Sequence, residues 1–165
     1  MGNNDPYWKL RPDTATPVDE LCSCRDSPPI VLQEHLSPLP IACCRCNREV
    51  LPERIGFGER LAERIAGWRD VTSALRMLWL DSGEYEGWAR RQLENPSGEV
   101  NANGIEIVGE LNKIRRAYYS WFQDSSAADF APRSNCPRCG KNLGSVEGKS
   151  VCESCKIVLP NNSAP

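Results

Sequence analysis

Cys136-Pro-Arg-Cys139-Gly140 and Cys152-Glu-Ser-Cys155 decide how the C-terminal part of the chain folds. The two Cys-x-x-Cys pairs are separated by twelve residues, which is the spacing of a tetrahedral Cys₄ zinc site. Each pair is expected to form a tight knuckle, and Gly140 stands where such a knuckle turns through a left-handed conformation. Four unrelated buried cysteines and two disulfides are the alternatives. The pattern predicts a zinc ribbon with the ligands Cys136, Cys139, Cys152 and Cys155.

A second cysteine group lies nearer the N-terminus. Cys22-Ser-Cys24 is followed, after eighteen residues, by Cys43-Cys44-Arg-Cys46-Asn47. Cys43 and Cys46 have knuckle spacing, and Asn47 can adopt the left-handed turn. The gap in Cys22-x-Cys24 is shorter than in most zinc sites. We expect a second Cys₄ zinc site formed by Cys22, Cys24, Cys43 and Cys46.

Other interpretations of this group stay open. His35 is the single histidine of the chain, and it could replace Cys22 or Cys24 as a ligand. The cysteines could also be reduced core residues without metal. Cys44 is left over in each zinc scheme, and we expect it to be a small buried hydrophobe or an idle thiol.

Composition indicates a soluble protein of a reducing compartment. The 165 residues carry a formal net charge of −2 and include nine cysteines. No stretch approaches the ~20 apolar residues of a membrane span, and the first residues lack the basic and apolar regions of a secretory signal. Cysteines in such a chain are expected to be metal ligands rather than disulfides. We therefore predict a cytoplasmic protein with about two Zn²⁺ ions per chain and no membrane contact.

The middle of the chain has helical periodicity. Large apolar residues recur at three- and four-residue steps from Phe57 to Trp79, and Ser82-Gly83 ends the run. A second helix is predicted over residues 84–94. Asn103 and Glu106 have the spacing of a capping box, which predicts a third helix from there to about Gln123. Its apolar stripe consists of Ile107, Leu111, Ile114, Tyr118 and Trp121.

These patterns predict a mainly α protein with small β elements in the zinc ribbon. Residues 1–55 form a Pro- and Cys-rich extended segment with a zinc site, residues 56–130 a three-helix unit, and residues 131–165 the ribbon. Neither cysteine segment has enough large apolar residues to form a core alone. Each is therefore expected to need its ion for folding.

The sequence gives little indication of catalysis. His35 is the single candidate for a histidine base, and no nucleophile motif accompanies it. Capping and solvation account for the carboxylates Asp81, Glu84 and Glu86. A closed Cys₄ site has no coordination position for water. We expect a protein without enzymatic activity.

The sequence is compatible with two binding functions. The ribbon segment carries five basic residues against two acidic ones, but no aromatic residue follows Phe130 to stack on bases. Nucleic-acid binding would use Arg133, Arg138, Lys141, Lys149 and Lys156. The helical segment is acidic and tryptophan-rich, which favours a protein partner. A protein-interaction module, such as an adaptor, inhibitor or antitoxin-like protein, is the preferred prediction.

The chain also resembles a bacterial family of unknown function. The resemblance runs through Trp79-Leu-Asp-Ser-Gly83-Glu-Tyr85-Glu-Gly-Trp88-Ala89, then Asn101, Gly104, Leu111-Asn112, Arg115 and Tyr118-Tyr-Ser-Trp121-Phe122, and ends with Cys136-Pro-Arg-Cys139-Gly140. It covers most of the chain from Cys22 onward. Members are described as zinc-ribbon-containing, and nucleic-acid binding has been suggested for them. The resemblance implies zinc binding at Cys136, Cys139, Cys152 and Cys155.

Overall fold

One β-sheet joins segments that lie far apart in the sequence. In the computed structural model, which describes residues 4–34 and 37–163, six strands within those residues form this sheet. They are β1 (Ile30–Leu32), β2 (Ile41–Cys43), β3 (Ala117–Ser120), β4 (Gly144–Val146), β5 (Lys149–Cys152) and β6 (Ile157–Ser163). The order is β2-β1-β3-β6-β5-β4, with β3 parallel to β1 and to β6 and the other pairs antiparallel.

Three α-helices within the described residues connect β2 to β3. They are α1 (Glu59–Asp81), α2 (Glu86–Glu94) and α3 (Glu99–Leu111); short 3₁₀ turns cover Trp8–Leu10, Val18–Glu20, Pro52–Arg54 and Gly83–Tyr85. The first predicted helix is confirmed, and the second begins two residues later than predicted. None of the helices described is long and apolar enough to cross a lipid bilayer.

Helix α3 packs closely on strand β3. Gly104 lies against the Tyr119 ring, and a Cβ atom at this glycine would be 2.1 Å from the Tyr119 Cε2 atom. The Tyr119 hydroxyl donates a hydrogen bond to Asn101 Oδ1 at 2.8 Å. Trp68 of α1 donates from Nε1 to the Val100 carbonyl at 3.1 Å. Helices α1 and α3 and strand β3 thereby form one buried layer on the face of the sheet that carries Tyr119.

The prediction of a mainly α protein is wrong. The sheet takes strands from the N-terminal segment, from the middle of the chain and from the ribbon, so the fold is a mixed α/β structure. The sheet was missed because the strands of the N-terminal segment are only three residues long. Their partners lie far along the chain: Ile30 pairs with Ala117, and Tyr119 pairs with Ile157.

The third predicted helix is also wrong in its second half. Helix α3 begins at Glu99, so Asn103 lies within it rather than at its cap, and it ends at Leu111. The Asn112 side chain then accepts a hydrogen bond from the Ala117 N–H and donates to the Ala117 carbonyl, at 3.1 and 2.9 Å. These bonds turn the chain into β3, where aromatic residues fit a buried strand.

The two ends of the sheet meet. Strands β2 and β4 are last in the strand order, yet Arg45, just after β2, makes two hydrogen bonds of 3.0 and 2.9 Å to the Glu147 carboxylate, just after β4. Lys149 Nζ donates to Asn47 Oδ1 at 2.6 Å. We call this contact between residues 44–47 and 146–149 the seam. The sheet therefore curls, and a small second core lies inside the curl, formed by Val31, Cys44, Tyr118, Val151 and Val158.

Candidate metal centres

The structure brings eight of the nine cysteines together in two groups. The N-terminal centre contains Cys22, Cys24, Cys43 and Cys46; the ribbon centre contains Cys136, Cys139, Cys152 and Cys155. Within each group the four Sγ atoms lie within 4.8 Å of one another. Four sulfurs bound tetrahedrally at the zinc–sulfur distance of ~2.3 Å would be about 3.8 Å apart. All nine cysteines lie within the described residues and are free, so each group could hold a metal ion.

Backbone hydrogen bonds shape the N-terminal centre. Cys43 is the last residue of β2, and its carbonyl accepts a hydrogen bond of 2.9 Å from the N–H of Asn47. Asn47 has φ of 60°, which confirms the predicted left-handed turn. On the other side, the Cys22 N–H donates to the Glu49 carbonyl at 2.7 Å. This bond holds the Cys22-x-Cys24 segment beside the Cys43–Asn47 knuckle. Cys22 and Cys24 therefore reach the centre without forming a knuckle of their own.

The ribbon centre contains two knuckles. The Gly140 N–H donates to the Cys136 carbonyl at 3.0 Å, with the predicted positive φ of 72° at Gly140. The Cys136 N–H donates to the Lys141 carbonyl at 2.8 Å. In the second knuckle Cys152 ends β5 and Lys156 takes the left-handed position, with φ of 55°. The sequence did not indicate this role for Lys156, because lysine seldom adopts that conformation.

The two centres differ in exposure. Each has two buried ligands, Cys22 and Cys43 in one and Cys136 and Cys152 in the other. The remaining ligands of the N-terminal centre are half-buried, whereas Cys139 of the ribbon centre is exposed. Solvent and dissolved reagents can therefore reach the ribbon sulfurs more easily.

The thiols of each centre share hydrogen bonds, which alter their acidity. A hydrogen bond from the backbone of Lys141, assisted by the other ribbon thiols, lowers the pKa of Cys139 to about 7. Burial raises the pKa of Cys43 to about 12. Burial also opposes ionisation of Cys22, but hydrogen bonds from the Cys24 backbone and neighbouring thiols outweigh it and lower its pKa to about 7. A bound metal would replace the shared protons of such a group.

Two arginines lie at the N-terminal centre. Arg54 donates hydrogen bonds to the backbone carbonyls of Cys22 and Cys24, the latter at 2.6 Å. Arg115 donates from Nε to the Pro28 carbonyl at 2.8 Å, while its Nη2 atom is buried without a hydrogen-bond partner among the described residues. Burial lowers the pKa of Arg115, and the thiolates of the centre act in the opposite direction. Sequence reasoning assigned these arginines no role, because a single arginine far from the ligands in sequence forms no local pattern.

Cys44 stays outside both groups. It is fully buried inside the curl of the sheet, and its Sγ atom lies 4.0 Å from the Val146 carbonyl oxygen across the seam. Burial raises the pKa of its thiol. These surroundings agree with the predicted role of a small buried hydrophobe.

The residues considered for catalysis do not form a described site. His35, both as a base and as an alternative ligand, lies outside the described residues. Asp81, Glu84 and Glu86 are exposed where α1 meets α2. Glu86 accepts a hydrogen bond from the Gly83 N–H at 3.2 Å, which is a local turn contact.

The basic residues of the ribbon are only partly available to a ligand. Three amines contact neighbouring side chains: Lys141 contacts Ser154 at 3.1 Å, Lys149 contacts Asn47 at 2.6 Å, and Lys156 contacts Glu153 at 2.7 Å. Arg133 and Arg138 are exposed. The five basic residues of the ribbon therefore do not form one continuous surface of free positive charge.

Comparisons of the chain with protein-family models, with curated proteins and with solved structures find no match.

Proposed function

We propose that each centre binds one Zn²⁺ ion, so that the protein carries about two structural zinc ions per chain. The observation that carries this proposal is the convergence of four sulfurs in each of two groups. Thiolates are soft ligands, and tetrahedral four-sulfur sites are typical of zinc or iron. The chain is short, and most strands of its cysteine segments are only three or four residues long, so metal ligation would supply much of their order.

Metal content per chain tests this proposal. Elemental analysis of protein purified without added metal should give close to two zinc ions, and Cys139→Ser should retain about one. Cys44→Ser is the matched control, and it should keep both because Cys44 belongs to neither group. Iron in place of zinc, or no change in metal content for Cys139→Ser, would contradict the assignment.

The proposal assigns the metals no catalytic role. Four thiolates complete a tetrahedral coordination sphere, and catalytic zinc sites leave one position for water or substrate. Reduced thiolates also require a reducing environment, so the proposed location is the cytoplasm.

For the protein as a whole we propose a protein-interaction module. Four large apolar side chains are between 46% and 65% exposed at the end of α1 and the beginning of α2: Met77, Leu80, Tyr85 and Trp88. Exposed Trp and Tyr side chains are the usual anchors of protein interfaces. This region lies outside both metal centres, so binding there would leave the zinc ions in their structural role.

A paired capture experiment tests the interaction. The wild-type chain and a Tyr85→Ala/Trp88→Ala double variant are immobilised, and the proteins that they retain are compared by mass spectrometry. Trp8→Ala is the control, because Trp8 is 47% exposed on a different segment. A partner retained by the wild type and the control but lost from the double variant supports the proposal. Equal retention by all three proteins contradicts it.

Nucleic-acid binding is the second candidate. It rests on the basic ribbon residues, of which Arg133 and Arg138 are exposed. We rank it below protein binding because three of the five residues already contact other side chains. Binding of single- or double-stranded DNA that weakens steeply with salt and is lost in Arg133→Ala/Arg138→Ala would reverse this ranking.

A further inference from the structure

The charge around the two metal centres is unequal. A zinc ion with four thiolates has a net charge of roughly −2, and moving such a charge out of water is costly unless opposite charge lies nearby. At the N-terminal centre the Arg115 guanidinium lies within electrostatic reach of the Cys43 and Cys22 sulfurs. The guanidinium reaches into the interior and is fixed by the hydrogen bond to the Pro28 carbonyl, and its Nη2 atom has no hydrogen-bond partner among the described residues.

Arg54 adds a second positive charge to the N-terminal centre. It binds the carbonyl oxygens of Cys22 and Cys24, so it holds the backbone of two ligands as well as contributing its charge. Arg54 is more exposed than Arg115, and solvent screens its field more strongly. Arg115 is therefore the main compensating group.

The ribbon centre has a different environment. The basic side chains nearest to its first knuckle in sequence, Arg138 and Lys141, are exposed to solvent. The second knuckle contains an acidic residue, Glu153, whose carboxylate contacts Arg116 and Lys156. These two cations are therefore engaged by Glu153. Cys139 is itself exposed, which leaves a path for reagents to the metal.

We propose that Arg115, assisted by Arg54, compensates the charge of the N-terminal centre, so that this centre retains its metal while the ribbon centre releases its metal first. The inference rests on the proposed binding of zinc at both centres. It assigns Arg115 the role of a positioning and charge-compensating residue, not of a ligand. The ribbon is then the part of the molecule that responds to a metal chelator or to oxidation of its thiolates.

The order in which the two centres release zinc can be tested with a chelator. The zinc-loaded protein is mixed with excess EDTA, samples are alkylated with N-ethylmaleimide at successive times, and the modified cysteines are located by peptide mass spectrometry. The four ribbon cysteines should be modified well before those of the N-terminal centre. Earlier or simultaneous modification of the N-terminal cysteines would overturn the proposal.

Substitution of Arg115 tests the cause. Groups around metal ligands typically change metal affinity by about 10- to 100-fold when they are replaced. Arg115→Met keeps much of the side-chain volume, and it should speed zinc release from the N-terminal centre by about tenfold without changing release from the ribbon. Arg115→Lys should restore part of the difference. Arg91→Met, which removes an exposed charge on α2, is the control and should match the wild type.

The outcomes separate this inference from the proposed function. Fewer than two zinc ions in the wild-type protein before chelation would mean that zinc binding itself fails. Two bound zinc ions, with N-terminal release in Arg115→Met within about twofold of wild type, would overturn the role of Arg115 alone. Equal acceleration at both centres would also overturn it, because that result indicates a general loss of stability.

Discussion

The N-terminal centre and the ribbon centre have the same donor set but different surroundings. Both take one ligand from the last residue of a strand, Cys43 of β2 and Cys152 of β5, and all three knuckles turn through a left-handed residue. The N-terminal centre lies beside arginine side chains and has no exposed ligand, whereas Cys139 of the ribbon is exposed. We therefore expect the two centres to hold a metal differently although their ligands are the same.

The largest contrast is expected when each centre loses one ligand. Cys43 is 1% exposed, lies in a strand and packs in the main core, so Cys43→Ser should remove one zinc and unfold much of the chain. A structural zinc can contribute about 10 kcal/mol or more, which is comparable with the whole stability of a domain. Cys139→Ser should loosen the ribbon while the helices persist. Far-UV circular dichroism with metal analysis measures both effects, and equal loss of helix in the two variants would contradict the contrast.

A substitution in the buried layer formed by α1, α3 and β3 should affect both metal centres together. Gly104→Ala places a Cβ atom in the Tyr119 ring, and that ring is held by Asn101, so relief requires a shift of α3 from β3. We expect a loss of about 3 kcal/mol in the free energy of unfolding. Gly109→Ala in the same helix is the control, since no atom lies within 4 Å of its added methyl group. Denaturant unfolding should show destabilisation for Gly104→Ala and none for the control.

Substitutions of the left-handed knuckle residues Gly140 and Asn47 should have smaller effects on zinc binding. Gly140→Ala adds a side chain in open space at φ of 72°, so its cost is backbone strain alone, about 1 kcal/mol. Asn47→Gly relieves a similar conformation but also removes the exposed hydrogen bond from Lys149, so its net effect on the N-terminal knuckle should be smaller. Zinc affinity by competition with a chelator measures each effect. Equal destabilisation by both substitutions would mean that the knuckles are held by contacts other than their turns.

The seam should give the smallest effect. Arg45 lowers the pKa of Glu147 by hydrogen bonding, so the ion pair is complete at neutral pH and is lost as the pH falls through that lowered value. Glu147→Gln should speed release of zinc from the ribbon by less than about twofold, because exposed ion pairs contribute little. The difference should disappear in about 1 M salt. Glu110→Gln, which removes the exposed pair with Lys113, is the control.

The cysteine groups could be predicted because their pattern is local. Knuckle spacing and the residue after each second cysteine are encoded within five positions, and the structure places Asn47 and Gly140 in the expected left-handed turns. Zinc itself stays a prediction. Arg115 could not be assigned a role, since the role proposed for it depends on a contact with the chain 87 residues away, at Pro28.

The sheet could not be predicted because its pairing is long-range. Tyr118 and Tyr119 are both buried, one inside the curl and one against the helices, so β3 lacks the alternation of a half-exposed strand. The aromatic residues of β3 also continue the three- and four-residue spacing of Ile107, Leu111 and Ile114. This spacing falsely indicated that the helix extends through β3. The first helix was recognised because α1 is 23 residues long and its buried residues recur at helical spacing.

Strand β6 lies inside the sheet although it comes last in the sequence, and this matters during protein synthesis on the ribosome. A chain is made from its N-terminus, so β2, β1 and β3 leave the ribosome before β6, which completes the sheet between β3 and β5. Until Ile157 and the residues after it have emerged, one edge of β3 lacks its partner, and such unpaired edges invite association with other chains. A nascent chain interrupted within the ribbon would therefore be left with an open, aggregation-prone sheet.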